Sequence, residues 1–131
     1  MTSRTLYVGI MSKTDYIKRT IAIAKGEYKP KTNEPKVWFE SIKSLAQVLS
    51  NENQELLKII DEKHPKSLSE LETLTGRKKS NLSRTLKTLE RYGIVVLQKE
   101  KNTLIPKVNA TDFRVEFGLG SSAASSQNIL Q

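Results

Sequence analysis

Residues 76–95 read Gly-Arg-Lys-Lys-Ser-Asn-Leu-Ser-Arg-Thr-Leu-Lys-Thr-Leu-Glu-Arg-Tyr-Gly-Ile-Val, and this run says more about the architecture than any other. A helix over Lys78–Tyr92, turning about 100° per residue, sorts its side chains into two faces. Leu82, Leu86 and Leu89 fall on one side. Ser80, Arg84, Lys87 and Arg91 form a single stripe on the other, flanked by Arg77, Asn81 and Ser83. Six basic residues and one acid, Glu90, lie between Arg77 and Arg91. Exposed helices ordinarily mix the signs in Glu–Lys pairs; this one hardly does. Upstream, Glu40–Glu72 holds seven acids against Lys43, Lys58, Lys63 and Lys66. Positive charge is therefore concentrated on one helix face of an otherwise acidic central region.

The flanks give that helix its setting. Ser67-Leu68-Ser69-Glu70 matches a capping box and starts a helix. Leu68, Leu71 and Leu74 supply its apolar face, and Gly76 ends it. Only Gly76–Lys79 separates it from the next helix, which suits the tight turn between crossed helices. Downstream, Gly93 terminates the second helix and Ile94–Leu97 is a β-branched strand. Gln98–Asn102 reads as a turn and Thr103–Val108 as the return strand. Pro106, which lacks an N–H, places that strand at a sheet edge. Two helices across a tight turn followed by a hairpin predict a winged helix-turn-helix: a mainly α protein with a β-wing.

The chemistry follows from the layout. A helix fits the major groove of B-DNA and offers its N-terminal residues to base edges. Ser80, Asn81 and Ser83 are short hydrogen-bonding groups there, and Arg84 has the reach to grip a guanine with two bonds. Lys78, Lys79, Lys87 and Arg91 suit phosphates, which position a protein without reading sequence, and Arg77 on the flank is counted among the DNA-binding residues. Lys99 and Lys101 near the hairpin tip extend the expected DNA contact.

Outward from this centre the chain divides into an arm over residues 1–36, the winged-helix domain over 37–110, a strand over 111–117 and a flexible tail over 118–131. In the arm, Thr5–Ile10 is β-prone. Ser12 with Asp15 caps a helix whose Ile17, Ile21 and Ala24 repeat at helical spacing until Gly26. Glu27–Pro35 reads as an extended linker. Val37–Lys63 reads as two helices, with Trp38 and Phe39 as aromatic anchors. Ser41 caps the first, with Ile42, Leu45, Ala46 and Leu49 on one face. Asn51 caps the second, burying Leu56, Leu57, Ile59 and Ile60, and Pro65 ends it. Phe113, Val115 and Phe117 alternate with Arg114 and Glu116, the period of a half-buried strand. The added strand–helix arm and C-terminal strand complete an α+β fold.

Composition narrows the function. The formal charge is +8 over 131 residues, which points to a polyanionic partner. There are no cysteines, so disulfides, thiolate metal sites and cysteine nucleophiles are excluded together. No apolar run approaches a membrane span and no signal-like segment opens the chain, so the expectation is a cytoplasmic protein with no membrane partner. An enzyme finds no residues to work with. The only histidine, His64, sits beside Pro65 at a helix end, Gly118-Leu119-Gly120 has no strand–helix setting, and Asp61-Glu62 and Glu70/Glu72 do not converge on one site. No cofactor or metal is expected.

The run Gly76–Val95 resembles the recognition helix and wing start of MarR-like winged-helix regulators. Pro35-Lys36-Val37-Trp38-Phe39-Glu40-Ser41, with Ser44-Leu45-Ala46 and Leu49-Ser50, resembles a narrower group of prokaryotic DNA-binding proteins, some similar to TumA-type antitoxins. The likeness covers about Tyr7–Phe117. It implies a sequence-specific transcriptional regulator of double-stranded DNA, a repressor, and the antitoxin of a toxin–antitoxin operon with a cognate toxin as partner. It carries DNA contacts to Lys78, Lys79, Ser80, Asn81, Ser83, Arg84 and Lys87. The long dimerisation helices and ligand pocket of larger MarR proteins find no counterpart here.

One winged helix buries little DNA, so a homodimer on a palindromic operator is expected. Thr5–Ile10 and Phe113–Phe117 are the strands expected to mediate it, pairing within or between chains. The basic residues Lys13, Lys18, Arg19 and Lys25 either meet DNA backbone or an acidic partner, or form a solvated helix face. The alternatives are a free-standing MarR-like regulator, a winged-helix protein-interaction module and an RNA binder. The retained basic face argues against the second, and the scarcity of aromatics near it argues against the third.

Overall fold

The computed structural model describes residues 4–119. Within them the chain is a mixed α/β protein with five helices and two small sheets. The order is β1 (Thr5–Ile10), α1 (Lys13–Ala24), β2 (Val37–Phe39), α2 (Ile42–Val48), α3 (Asn51–Lys63), α4 (Leu68–Thr75), α5 (Lys79–Arg91), β3 (Val95–Glu100), β4 (Thr103–Val108) and β5 (Asp112–Glu116). The fold separates into two compact units. One takes Ala46–Asp112 with Arg4 and Thr5; the other takes Leu6–Leu45 and Phe113–Leu119. Among the described residues no helix is long and apolar enough to cross a membrane.

In the first unit, side-chain caps mark where helices begin. The Ser50 hydroxyl accepts from the Asn53 N–H at 3.2 Å and the Ser67 hydroxyl from the Glu70 N–H at 3.0 Å. Each satisfies a donor that the first turn leaves without a helical partner. The cap of α3 is thus Ser50, not Asn51, which is already helical. His64 (φ 50°) ends α3 in the left-handed region directly before Pro65, and Gly76 (φ 75°) ends α4 there. The core gathers Leu56, Leu57, Ile60, Leu71, Leu82, Leu86, Leu89, Ile94 and Val95. Through it α5 packs on α4 and β3, while α3 packs on α4 and β4.

The hairpin is tighter than the sequence suggests. β3 and β4 stay paired out to Glu100↔Thr103, so the turn is only Lys101 and Asn102. Lys101 takes a left-handed φ of 56°, the conformation a two-residue hairpin connection demands. Gln98, Lys99 and Glu100, expected in the turn, are therefore strand residues.

In the second unit β1 lies between β2 and β5. β1 and β2 are parallel, in register from Val8↔Val37 to Ile10↔Phe39. Val37–Phe39 was expected at the edge of a helical zone; its β-branched and aromatic residues instead make a short strand that buries Phe39. The Tyr7 hydroxyl donates to the Glu116 carboxylate, and this bond, with lesser contributions from burial and charge, holds the phenol pKa above its ordinary value. The two terminal strands thus pair within one chain.

Several expected faces point elsewhere. In α1, capped by Ser12 as anticipated, no residue is buried, and Tyr16, Ile17 and Ile21 are 44%, 48% and 49% exposed. The inward side carries Asp15, Arg19, Ala22 and Ile23 instead. The cause is Arg19. Its guanidinium pairs with Glu34 at 2.8 Å and lies over the rings of Tyr28 and Trp38, at 5.7 and 5.1 Å. Tyr28 also donates to Glu34. The Glu27–Pro35 segment is accordingly tied down by Tyr28, Glu34 and the buried Pro35 rather than simply extended. Ile42, Leu74, Val115 and Phe117 are likewise exposed, each at an element end or, for Val115, on the outer strand of the sheet. Most of the expected tail, residues 120–131, lies outside the described residues.

Candidate nucleic-acid interface

The surface of interest is built on α5. Leu82, Leu86 and Leu89 are each at most 1% exposed, which fixes the rotation of the helix about its axis. Ser80, Arg84, Lys87 and Arg91 are then forced outward, and all four are exposed. Lys78 and Lys79 are exposed at the N-terminal end. None of these five cations takes part in a salt bridge among the described residues. Arg91 lies over the Tyr92 ring at 5.8 Å and reaches the Thr88 hydroxyl at 3.5 Å. The result is a face of positive charge about one helix long with no ion-paired acid among the described residues, a surface able to neutralise phosphates.

The start of α5 is held in an unexpected way. Its N-cap, Lys78, offers no side-chain cap; instead Glu72 of α4 accepts the Lys79 N–H at 3.2 Å. An acid at a helix N-terminus is favourable, and here it ties the second of two consecutive helices to the first. Sequence spacing hides this contact, because the two residues are seven apart across a turn.

The remaining sequence-predicted residues divide. Ser83 and Asn81 are half-buried on opposite flanks of the stripe. Arg77 is half-buried rather than exposed, and its guanidinium is engaged inside the protein by Asn81, Asn53 and Thr85. Asn81 is correspondingly occupied through its side-chain oxygen. Lys99 and Lys101 are both exposed, Lys99 in the body of β3 and Lys101 in the turn. Arg19, one of the basic residues of α1, is paired with Glu34 as described, whereas Lys13, Lys18 and Lys25 are exposed.

A cleft of about 440 Å³, where no ligand pocket was expected, lies in the first unit between the end of α3 and the hairpin. Ile60, Pro65 and Pro106 line it, and its charged lining is mixed, Asp61 and Glu100 against Arg4, Lys66 and Lys107. His64 stands at this cleft. Among the described residues no group of three or more His, Asp or Glu side chains is placed to hold a metal ion.

Comparison with known proteins bears on the same stretch. The HVO_A0114 family model matches residues 48–115, just over half of the chain. No curated protein matches. Among solved structures, one described as a crystal structure of the predicted DNA-binding transcriptional regulator from E. coli is similar at a TM-score of 0.43 and 16% identity. That likeness covers 70% of this chain and 82% of the other.

Proposed function

The chain belongs to the HVO_A0114 family, the matched residues being those that carry α3, α4, α5 and the hairpin, and we propose that this stretch is a winged helix-turn-helix that binds double-stranded DNA. In this reading the protein is a sequence-specific transcriptional regulator, a repressor, acting as a homodimer on a palindromic operator. The observation that carries it is the α5 face: Lys78, Lys79, Arg84, Lys87 and Arg91 exposed opposite three buried leucines, with no acid among the described residues bridging any of them. Arg84 reads a base edge in the major groove. Lys78, Lys79, Lys87 and Arg91 hold phosphates, and Ser80 and Ser83 hydrogen-bond beside them. Lys99 and Lys101 add backbone contacts from the hairpin.

The test is a binding titration on the DNA upstream of the gene, at two salt concentrations. Arg84→Ala is expected to lose about 1–3 kcal/mol of specific affinity and relax base preference at one position. Lys87→Ala is expected to weaken binding to every sequence and reduce the salt slope by about one. Equal binding by wild type and the Arg84/Lys87 double variant would remove the basis for the assignment. Sedimentation at micromolar concentration checks the dimer, and a monomer alone would count against it.

The same proposal extends to an antitoxin, a DNA binder in one unit and a toxin binder in another. It is supported by the resemblance of residues in the Pro35–Ser50 segment to a group of prokaryotic DNA-binding proteins, some of which are similar to TumA-type antitoxins. The second unit, which does not include α5, has apolar positions of α1 turned to solvent. Co-expression with the product of the adjacent reading frame tests it: relief of growth arrest is expected, and a neighbour that does not arrest growth excludes it.

A further inference from the structure

We propose that Arg77 is a positioning residue that sets the attitude of α5 on the rest of its unit, and that it does not contact DNA. The proposal rests on the reading of α5 as the DNA-binding helix. Six basic residues lie between Arg77 and Arg91, and Arg77 differs from the other five in being half-buried. All three guanidinium nitrogens are used. Nε donates to Asn81 Oδ1 at 2.9 Å, Nη2 to Thr85 Oγ1 at 3.2 Å and Nη1 to Asn53 Oδ1 at 3.4 Å. Asn81 and Thr85 stand one turn apart on α5, and Asn53 is on the first turn of α3.

The network continues on both sides. Asn53 Nδ2 donates to the Val48 carbonyl at the end of α2, at 3.0 Å. The Arg77 backbone N–H donates to Thr75 Oγ1 at 3.1 Å, and that hydroxyl donates to the Leu71 carbonyl at 2.9 Å. The left-handed turn at Gly76 (φ 75°) is what brings the chain round to place Arg77 here. One planar group thus ties the end of α2, the start of α3, the exit of α4 and the first turns of α5.

Each side-chain partner is a neutral oxygen. Among the described residues no carboxylate forms an ion pair with Arg77, so geometry rather than ion pairing is what the site selects. A rigid fork with five donors can bridge three separated acceptors; an ammonium on a flexible stem cannot hold the same three. Glu72, which caps the Lys79 N–H, fastens the same end of α5 independently. Together they hold the end that would enter the groove, where a small rotation misplaces every side chain of the stripe.

Lysine substitution separates the two roles. A phosphate contact tolerates Arg77→Lys with little loss; a three-way strut does not. Affinity of Arg77→Lys and Arg77→Ala for one operator duplex is measured across a salt series beside wild type and Lys87→Ala. The expected result is a loss of about tenfold or more in both Arg77 variants with the salt slope of wild type, while Lys87→Ala loses about one unit of slope. Near-wild-type binding by Arg77→Lys, or a slope lowered by about one in Arg77→Ala, would overturn the proposal.

A second measurement does not involve DNA. Thermal unfolding of Arg77→Ala, Asn53→Ala and the double variant is expected to be non-additive, the second substitution adding little to the first. Additive shifts would overturn the strut. Should Arg77→Ala fail to fold, Asn53→Ala and Thr85→Val each remove one tie and are expected to weaken binding several-fold at unchanged slope; unchanged affinity in both would overturn it. If wild type binds no duplex, the DNA reading fails by itself, and the unfolding cycle still decides whether Arg77 holds α5.

Discussion

Leu86→Ala is expected to lower the free energy of unfolding by about 2–5 kcal/mol, measured by urea titration. Leu86 is 1% exposed and sits between Leu82 and Leu89 on the inner face of α5. Truncation loses the transfer free energy of the removed carbons and leaves a cavity that its neighbours fill only in part. Neither side of the cavity can close easily, because α5 is packed on both α4 and β3. A typical domain has only about 5–15 kcal/mol in all, so this one change removes a large part of it. Arg84→Ala, half a turn away on the exposed face, is expected to shift stability by no more than about 0.5 kcal/mol. Comparable unfolding midpoints for the two variants would mean that the two faces of α5 are not separated as described.

Gly9→Ala is expected to cost about 1–3 kcal/mol through overpacking. A Cβ at this position would stand 2.4 Å from Trp38 Cζ3, 2.7 Å from Cε3 and 3.0 Å from Pro35 Cγ. The indole has little room to yield, since Arg19 stacks over it at 5.1 Å and is itself fixed by Glu34. Gly9 and Trp38 are register partners on β1 and β2, so the ring lies across a backbone that has no side chain in its way. Trp38 is the only tryptophan, and its fluorescence reports on the site directly. The expected outcome is an earlier unfolding transition with a shifted Trp38 emission. An unchanged spectrum and midpoint would show that the sheet accommodates the methyl group.

Local signals were legible where chemistry is local. Ser12, Ser67 and Gly76 mark helix ends by side-chain and backbone rules that need only a few residues, and the structure has those ends. The two-faced pattern from Leu82 to Arg91 survives because a strongly amphipathic helix has one way to bury its leucines. What sequence could not supply were contacts made at a distance. Ile17 and Ile21 look like a core stripe, yet they are exposed, and it is Arg19 that is engaged, by Glu34 fifteen positions beyond it. Arg77 looks like one more cation of the basic cluster until Asn53, twenty-four positions away, claims it. Composition and period weigh charges alike; only a fold distinguishes those facing solvent from those spent on an internal carbonyl or hydroxyl.

The placing of β1 between β2 and β5 has a consequence for synthesis. Arg4 and Thr111 are joined by hydrogen bonds across 107 positions. The helices α3 to α5 and the β3–β4 hairpin pack on one another, and all of them leave the ribosome before β5. β1 acquires β2 early, but its other edge waits for Asp112–Glu116. At the usual pace of translation that edge stays bare for roughly 5–20 s. A bare strand edge is a template for any second strand nearby. Neighbouring nascent chains on one message carry the same β5 sequence, so exchange of that strand between them competes with closure within the chain.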